Sequence, residues 1–138
     1  MADRVKKVNY AYVTVPNRAG EGEKLLGALR RAGVNMLAFS AFPAEAKKAQ
    51  VDIVADDMSA LRSLAKKNGW SLSRIKRGFL IQGKDKIGAV HRHVRRLSAE
   101  KVNVTAADAV SAGKGRYGML LWVKPRDYNR AAKLLDAK

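Results

Sequence analysis

Hydrophobic and polar positions in the first half of the chain follow two periods, one near two residues and one near 3.6. β-branched, aromatic and other apolar residues are concentrated at 8–15, 34–42 and 49–55, and these runs predict three strands. Apolar residues at steps of three and four predict amphipathic helices over 20–32 and 58–68. The first half therefore predicts the order β-α-β-β-α.

The second half predicts the same order again. Residues 71–82, 102–111 and 117–123 have the composition of strands, and Pro125 suits the first position of a final helix. Between the first two of these strands, a helix is predicted from apolar residues at steps of three and four, which are Ile87, Val90, Val94 and Leu97.

An internal repeat links the two halves. The run from Val34 to Ala41 returns as the run from Val102 to Ala109, at an offset of 68 residues in a chain of 138. The same offset places apolar residues on apolar residues elsewhere, at Leu29 and Leu97, Val51 and Met119, Ile53 and Leu121, and Val54 and Trp122. The sequence therefore predicts two copies of one structural unit, at 1–70 and 71–138.

The second copy ends without a fourth strand, which would leave backbone donors and acceptors unpaired. One hypothesis is that each long strand serves both units, so that residues 4–9 supply the fourth strand of the second copy. In the alternative arrangement, residues 1–7 are disordered and the second sheet has three strands.

The turn Pro16-Asn17-Arg18-Ala19-Gly20 and the later run Leu29 to Asn35 resemble the ACT domain, a small amino-acid-binding regulatory module. Ala19 departs from the proline that the family prefers, and the second copy departs further, with Gly83 to Gly88 in its turn. The resemblance implies an α+β fold of tandem ferredoxin-like β-α-β-β-α-β units, with antiparallel sheets and helices on one face. It also implies a non-catalytic regulatory protein that forms a homodimer or other homo-oligomer.

The resemblance implies an amino-acid ligand at the interface between two units, held by the turn after the first strand and the start of the second strand. A helix N-terminus and a nearby cation suit the ligand's carboxylate, while amide or carboxylate oxygens suit its ammonium group. The positions this implies are Asn17, Arg18, Ala19, Gly20, Asn35, Met36, Leu37, Gly83, Lys84, Asp85, Asn103 and Val104. Each also has a purely structural interpretation, as a turn former, a solvated side chain or, for Asp85, a helix cap.

Composition narrows the class of protein. The apolar fraction is 47%, cysteine is absent, and no apolar run approaches the length of a membrane span, which predicts a globular cytoplasmic protein without disulfides or membrane association. The formal net charge is +16, which favours salt-dependent attraction to anions, including nonspecific binding to nucleic acid.

Catalytic and metal-binding patterns find little support. His91 and His93 are two residues apart on a predicted helix, so they point to different faces and are not expected to chelate a metal. The adjacent Asp56 and Asp57 lie between a strand and a helix, where one of them is expected to cap the helix. We therefore expect neither an enzyme nor a bound cofactor or metal.

An RNA-recognition module is the alternative interpretation, because it shares the β-α-β-β-α-β order and reads bases with aromatic side chains on its sheet. The runs Arg77-Gly78-Phe79-Leu80 and Lys114 to Met119 partly match its strand motif. The first falls on the wrong strand, and the second contains an inserted Arg116 and lacks the later aromatic residue.

Overall fold

The computed structural model describes residues 3–138, and Met1 and Ala2 lie outside the described residues. The predicted α+β class is confirmed, with six strands and four α-helices in the described residues. In chain order the elements are β1 (Arg4–Pro16), α1 (Glu21–Arg31), β2 (Met36–Pro43), β3 (Lys48–Ala55), α2 (Met58–Asn68), β4 (Lys76–Lys84), α3 (Ala89–Ala99), β5 (Val104–Gly113), β6 (Arg116–Val123), a short 3-10 turn (Pro125–Asp127) and α4 (Tyr128–Leu134).

Residue contacts divide the chain into two compact units. The first unit runs from Asn9 to Lys76, and the second combines the residues up to Val8 with Arg77 to Lys138. In the first unit the strand order is β2-β3-β1, and in the second it is β5-β6-β4, with antiparallel pairing throughout these two sets. β2 and β5 are therefore edge strands of their units.

The first unit packs both of its helices against one face of its sheet. Its buried core combines residues of β1, β3, α1 and α2, including Ala11, Ile53, Leu29 and Leu61. Asp57 caps α2, because its carboxylate accepts hydrogen bonds from the backbone N–H groups of Ser59 (3.0 Å) and Ala60 (3.3 Å). The expectation that one of the two adjacent aspartates caps this helix is confirmed, and the residue is Asp57.

The second unit includes the beginning of β1 in its core. Val5 is buried in the cluster that contains Phe79 and Leu121, and Phe79 stacks on Tyr128 with ring centroids 4.6 Å apart. The Lys7 N–H donates to the Lys138 carbonyl and the Lys138 N–H donates to the Val5 carbonyl, both at 3.0 Å. The alternative in which residues 1–7 are disordered is therefore wrong for residues 3–7, while Met1 and Ala2 are outside the described residues.

The internal repeat has equivalent local structure in the two units. The Val34 N–H donates to the Leu29 carbonyl at 3.0 Å, and the Val102 N–H donates to the Leu97 carbonyl at 2.9 Å. Both valines and both leucines are buried. The preceding residue adopts a left-handed conformation in each copy, Gly33 with φ 72° and Lys101 with φ 60°, which reverses the chain after the helix.

Two predicted elements differ from the structure. The strand predicted over 71–82 begins only at Lys76, although the Ser73 N–H donates to the Tyr12 carbonyl at 2.8 Å within the first unit. Ile87 is fully exposed and precedes α3, because the helix begins after Gly88, whose φ of 82° is left-handed. The buried residues of α3 are Ala89, His93 and Leu97, and Val94 packs partly buried against the same core. The predicted stripe is therefore confirmed at Leu97 and in part at Val94, whereas Ile87 and Val90 are exposed.

No helix of residues 3–138 has the length and apolar character that crossing a membrane requires.

Candidate functional site

The predicted turn of the first unit, Asn17 to Gly20, connects β1 to α1. The Asn17 N–H donates to the Lys47 carbonyl at 2.8 Å, and Gly20 has a left-handed φ of 93° directly before the helix. The Arg18 side chain is largely exposed and donates to the Glu21 carboxylate at 3.1 Å, which lowers the pKa of Glu21. The Arg18 guanidinium is therefore already paired with an acidic side chain.

The predicted positions at the start of β2 do not meet this turn within the first unit. Pro16 pairs with Lys48 and Pro43 pairs with Ala49, so β1 and β2 both end beside the start of β3. Met36 pairs with Ala55 at the opposite end of β3. Seven residues of strand separate the two ends of β2, which is about 20 Å, so Asn35, Met36 and Leu37 are far from the turn.

The second unit repeats this separation. Lys84 pairs with Arg116 at the turn end of its strands, whereas Val104 pairs with Val123 at the other end. Asn103 is exposed beside Val104, and neither residue approaches Asp85. Within each unit, the structure therefore keeps the turn residues apart from the residues that begin the second strand.

A groove of about 410 Å³ lies between the start of α3 and the end of β5 in the second unit. Its walls come from the turn, the first residues of α3, the outer part of β5 and Tyr117 of β6. Among the predicted site residues, Asp85 lines this groove, while Gly83 and Lys84 do not. Asp85 is not the helix cap, a position that Gly88 occupies.

Two hydrogen bonds hold Asp85 in place at the groove. Its N–H donates to the Gly115 carbonyl at 2.8 Å, and its carboxylate accepts from the Ser111 hydroxyl at 2.9 Å. The groove thus brings together an exposed carboxylate, the Lys86 ammonium group, the positive end of an 11-residue helix, and the apolar side chains of Val90 and Val110.

The first unit has a groove in a different place. This groove has a volume of about 530 Å³ and lies between β1, α1 and residues 68–71, with Glu21, Lys24 and Arg31 among its lining residues. None of Asn17, Arg18, Ala19 or Gly20 lines it. Of these two grooves, the one in the second unit is lined by a predicted binding residue, Asp85.

Beside the groove of the second unit lies a buried cluster of polar side chains. Asp3, whose side chain is only 3% exposed, has three polar side chains around its Oδ2 atom. His93 Nε2 lies 2.7 Å from it and the Tyr117 hydroxyl donates a hydrogen bond to it, while Arg92 Nη2 forms an ion pair with it at 2.6 Å. The Tyr117 hydroxyl also lies 3.1 Å from His93 Nε2. Tyr117 belongs to both features, because it lines the groove and contacts Asp3.

The cluster perturbs the ionisation of two of its members. Burial acts to raise the pKa of Asp3, but the hydrogen bonds from Tyr117, His93 and Arg92, together with the charge of Arg92, outweigh burial and bring the pKa to about 2. Burial and the hydrogen bond to Asp3 raise the pKa of Tyr117 to about 12. Asp3 is thus a carboxylate and Tyr117 a neutral phenol at neutral pH.

No motif in the sequence predicts this cluster. The available signal is spacing, because His93 lies four residues from both Ala89 and Leu97 and therefore on the apolar face of the helix. His91, in contrast, is exposed. Among residues 3–138, no group of three histidine, aspartate or glutamate side chains is close enough to hold a metal ion.

The aromatic residues of the partial RNA motifs are not available for base stacking. Phe79 is fully buried and stacked on Tyr128, whose ring also lies 4.1 Å from the Arg77 guanidinium carbon. Tyr117 is 4% exposed and bonded to Asp3. Because stacking requires an exposed aromatic face, these two runs do not form the base-binding platform of an RNA-recognition module.

Neither a protein-family profile nor a curated protein sequence matches the chain. Solved structures do match its fold. Protein BT0572 from Bacteroides thetaiotaomicron superposes with a TM-score of 0.82 at 15% identity, covering 96% of this chain and 88% of that protein. The regulatory subunit of aspartate kinase from Thermus thermophilus, in a ligand-free form, gives a TM-score of 0.60 at 11% identity, covering 98% and 93% of the two chains.

A structure of aspartokinase alpha and beta subunits also matches, with a TM-score of 0.61 at 14% identity, covering 98% of this chain and 95% of that chain. At these identities the comparisons show a shared fold. The fold of this chain is therefore similar to that of aspartokinase regulatory subunits, in agreement with the ACT-like fold that the turn and helix motifs imply.

Proposed function

We propose that this protein is a non-catalytic regulatory protein built from tandem ACT-like units, which binds a small amino acid or similar metabolite. The observation that carries the proposal is the groove of the second unit, which combines acceptors and donors suited to an α-amino acid. The similarity in fold to regulatory subunits of aspartate kinase supports a regulatory role.

The chemistry of the groove fits both charged groups of an amino acid. Asp85 is an acceptor for the ammonium group, and the Ser111 hydroxyl fixes the orientation of its carboxylate. The Ala89 N–H already donates to the Lys86 carbonyl, so the donors for the ligand's carboxylate are the backbone N–H groups that follow it in the first turn of α3, together with the Lys86 side chain. Val90, Ala109 and Val110 offer apolar contacts to a small side chain.

The turn from Asn17 to Gly20 is proposed as the equivalent contact in the first unit, where Arg18 would bind a carboxylate in exchange for its pair with Glu21. Gly83 and Lys84 take a supporting role, since they end β4 directly before the groove. The proposal thus assigns the stronger site to the second unit.

In this proposal, the predicted residues at the start of the second strands contact the ligand of a second copy of the chain. Because they lie about 20 Å from the turn of their own unit, they contact the same ligand only across an interface. These residues are Asn35, Met36, Leu37, Asn103 and Val104. Edge strands β2 and β5 are the proposed contact surfaces of a homodimer, and β2 carries the exposed side chains of Phe39 and Phe42.

Two matched variants test the groove. Val110→Arg places a long cation in the groove, whereas Ile87→Arg adds the same cation at a fully exposed neighbouring position that does not line it. Thermal unfolding is followed with each of the twenty amino acids. A ligand at 100 times its dissociation constant stabilises the folded state by about 2.7 kcal/mol, so one or a few amino acids should raise the melting temperature of the wild type.

We expect Ile87→Arg to retain this stabilisation and both Val110→Arg and Asp85→Ala to lose it. If the amino acid stabilises the wild type and all three variants equally, the groove is not its binding site. If no amino acid stabilises the wild type and RNA binds with strong salt dependence, the net charge of +16 becomes the functional feature, and the nucleic-acid alternative replaces the sensor.

A further inference from the structure

We propose that Arg92, His93 and Tyr117 form a built binding site for a small carboxylate, and that Asp3 of the same chain is its tethered ligand. The proposal does not depend on the amino-acid groove, because it concerns the buried cluster and a different ligand class.

The geometry of the donors supports a site rather than a single ion pair. Three side chains from two elements, α3 and β6, converge on one carboxylate oxygen, with His93 at 2.7 Å and Arg92 at 2.6 Å. The side chain of His93 is 2% exposed, and its Nδ1 has no hydrogen-bond partner among the described residues. The Nε2 atom is therefore the ring nitrogen that the site uses.

The backbone of β4 completes the cavity. A Cβ atom at Gly83 would overlap the Asp3 carboxylate, so the absence of a side chain at Gly83 creates the space that the carboxylate fills. Such a close approach is one of the few backbone situations that require glycine. The site thus fits a carboxylate, because the polar groups of α3 and β6 lie on one side of it and the absence of a side chain at Gly83 leaves space on the other.

Removal of the Asp3 side chain leaves the His93 and Tyr117 donors and the Arg92 cation around an empty, carboxylate-sized space. Buried donors that lose their acceptor are destabilising, and an anion of the right shape restores the missing bonds. The Arg92 side chain remains 34% exposed, although its Nε and Nη2 atoms are buried, so the exposed part of this side chain is the proposed route of entry. Formate and acetate are the smallest carboxylates that fit this requirement.

The test compares Asp3→Ala with Asp56→Ala, which removes an exposed aspartate of the first unit. Thermal unfolding is measured at pH 7 in increasing sodium formate or acetate, with ionic strength held constant by sodium chloride. A two-dimensional NMR spectrum of the histidine rings reports occupancy at His93. Asp3→Asn serves as a further variant, because its amide keeps the volume of the resident side chain without its charge.

We expect formate or acetate to raise the melting temperature of Asp3→Ala in a saturable manner and to shift the ring resonances of His93. Neither effect is expected in the wild type, Asp56→Ala or Asp3→Asn. The first two keep the Asp3 carboxylate in the site, and in Asp3→Asn the amide occupies the same volume. If Asp3→Ala is unfolded in chloride, refolding by carboxylate counts as the same result, and failure of every carboxylate to restore it refutes the proposal. An equal rise in all four proteins would show a general anion effect on a basic chain and would also overturn it.

Discussion

Gly83 is the position at which a single methyl group should have the largest informative effect. A Cβ atom there overlaps the carboxylate of Asp3, whereas a Cβ atom at Gly118 of β6 finds nothing closer than the Ile81 carbonyl oxygen at 4.0 Å. Neither glycine has a left-handed φ. Gly83→Ala and Gly118→Ala are therefore matched substitutions in neighbouring strands that differ in whether they displace Asp3.

The expected magnitude follows from the ionisation of Asp3. A pKa lowered from 3.8 to about 2 means that the folded state favours the Asp3 carboxylate by about 2 to 3 kcal/mol, at about 1.4 kcal/mol for each tenfold change in the ionisation constant. Displacing the carboxylate forfeits this contribution. Alanine in place of glycine in a strand returns about 0.5 kcal/mol through lower chain entropy in the unfolded state. Gly83→Ala should therefore lower the free energy of unfolding by about 2 kcal/mol.

Urea denaturation at pH 7 measures both variants, alone and in an Asp3→Ala background. We expect Gly118→Ala to change the free energy of unfolding by less than about 0.5 kcal/mol. In the Asp3→Ala background, Gly83→Ala should be neutral or slightly stabilising, because the carboxylate that it displaces is already absent. An equal loss in both backgrounds would show that the cost at Gly83 has nothing to do with Asp3.

Three further predictions follow from individual contacts. Because the pKa of Asp3 is lowered in the folded state, the contribution of its carboxylate to the free energy of unfolding is complete above about pH 4 and is lost as the pH falls toward 2. The difference in the free energy of unfolding between wild type and Asp3→Asn, measured by urea denaturation, should therefore shrink over this interval. Lys101→Gly should raise the free energy of unfolding by up to about 1 kcal/mol, because Lys101 has a left-handed φ of 60° that glycine adopts without strain. A loss of stability would show that the contacts of the Lys101 side chain outweigh the relief of backbone strain. Asp57→Ala should lower the free energy of unfolding by about 1 kcal/mol, because the cap of α2 is lost. Urea denaturation compares it with the control Asp56→Ala, and equal losses in the two variants would contradict the assignment of Asp57 as the cap.

The repeating pattern of apolar residues was sufficient to predict the α+β class and the order of the strands and helices. Residues such as Ile53 and Leu121 are buried at equivalent positions because a strand that faces a core needs an apolar side chain at every second position. The helix ends were predictable where a local signal exists, as at Asp57 and Gly33, since caps depend on residues within a few positions.

The start of α3 was not predictable in the same way. Ile87 continues the apolar spacing of Val90 and Val94, but the left-handed Gly88 ends that continuity and leaves Ile87 in solvent. The register of the helix on its sheet then places His93 inside and Val90 at the groove. Spacing along a helix defines a face, whereas only packing against the sheet decides which face is buried.

The sequence by itself determined which residues are apolar and where the chain turns, and its internal repeat predicts two copies of one unit. The tertiary structure alone decided that Asp3 meets Arg92, His93 and Tyr117, because these contacts join residues about 90 to 114 positions apart. It also decided that the predicted turn and strand-start residues lie at opposite ends of each unit. Local patterns follow from interactions between near neighbours in the chain, whereas a binding site depends on long-range contacts that form only when the strands and helices pack together.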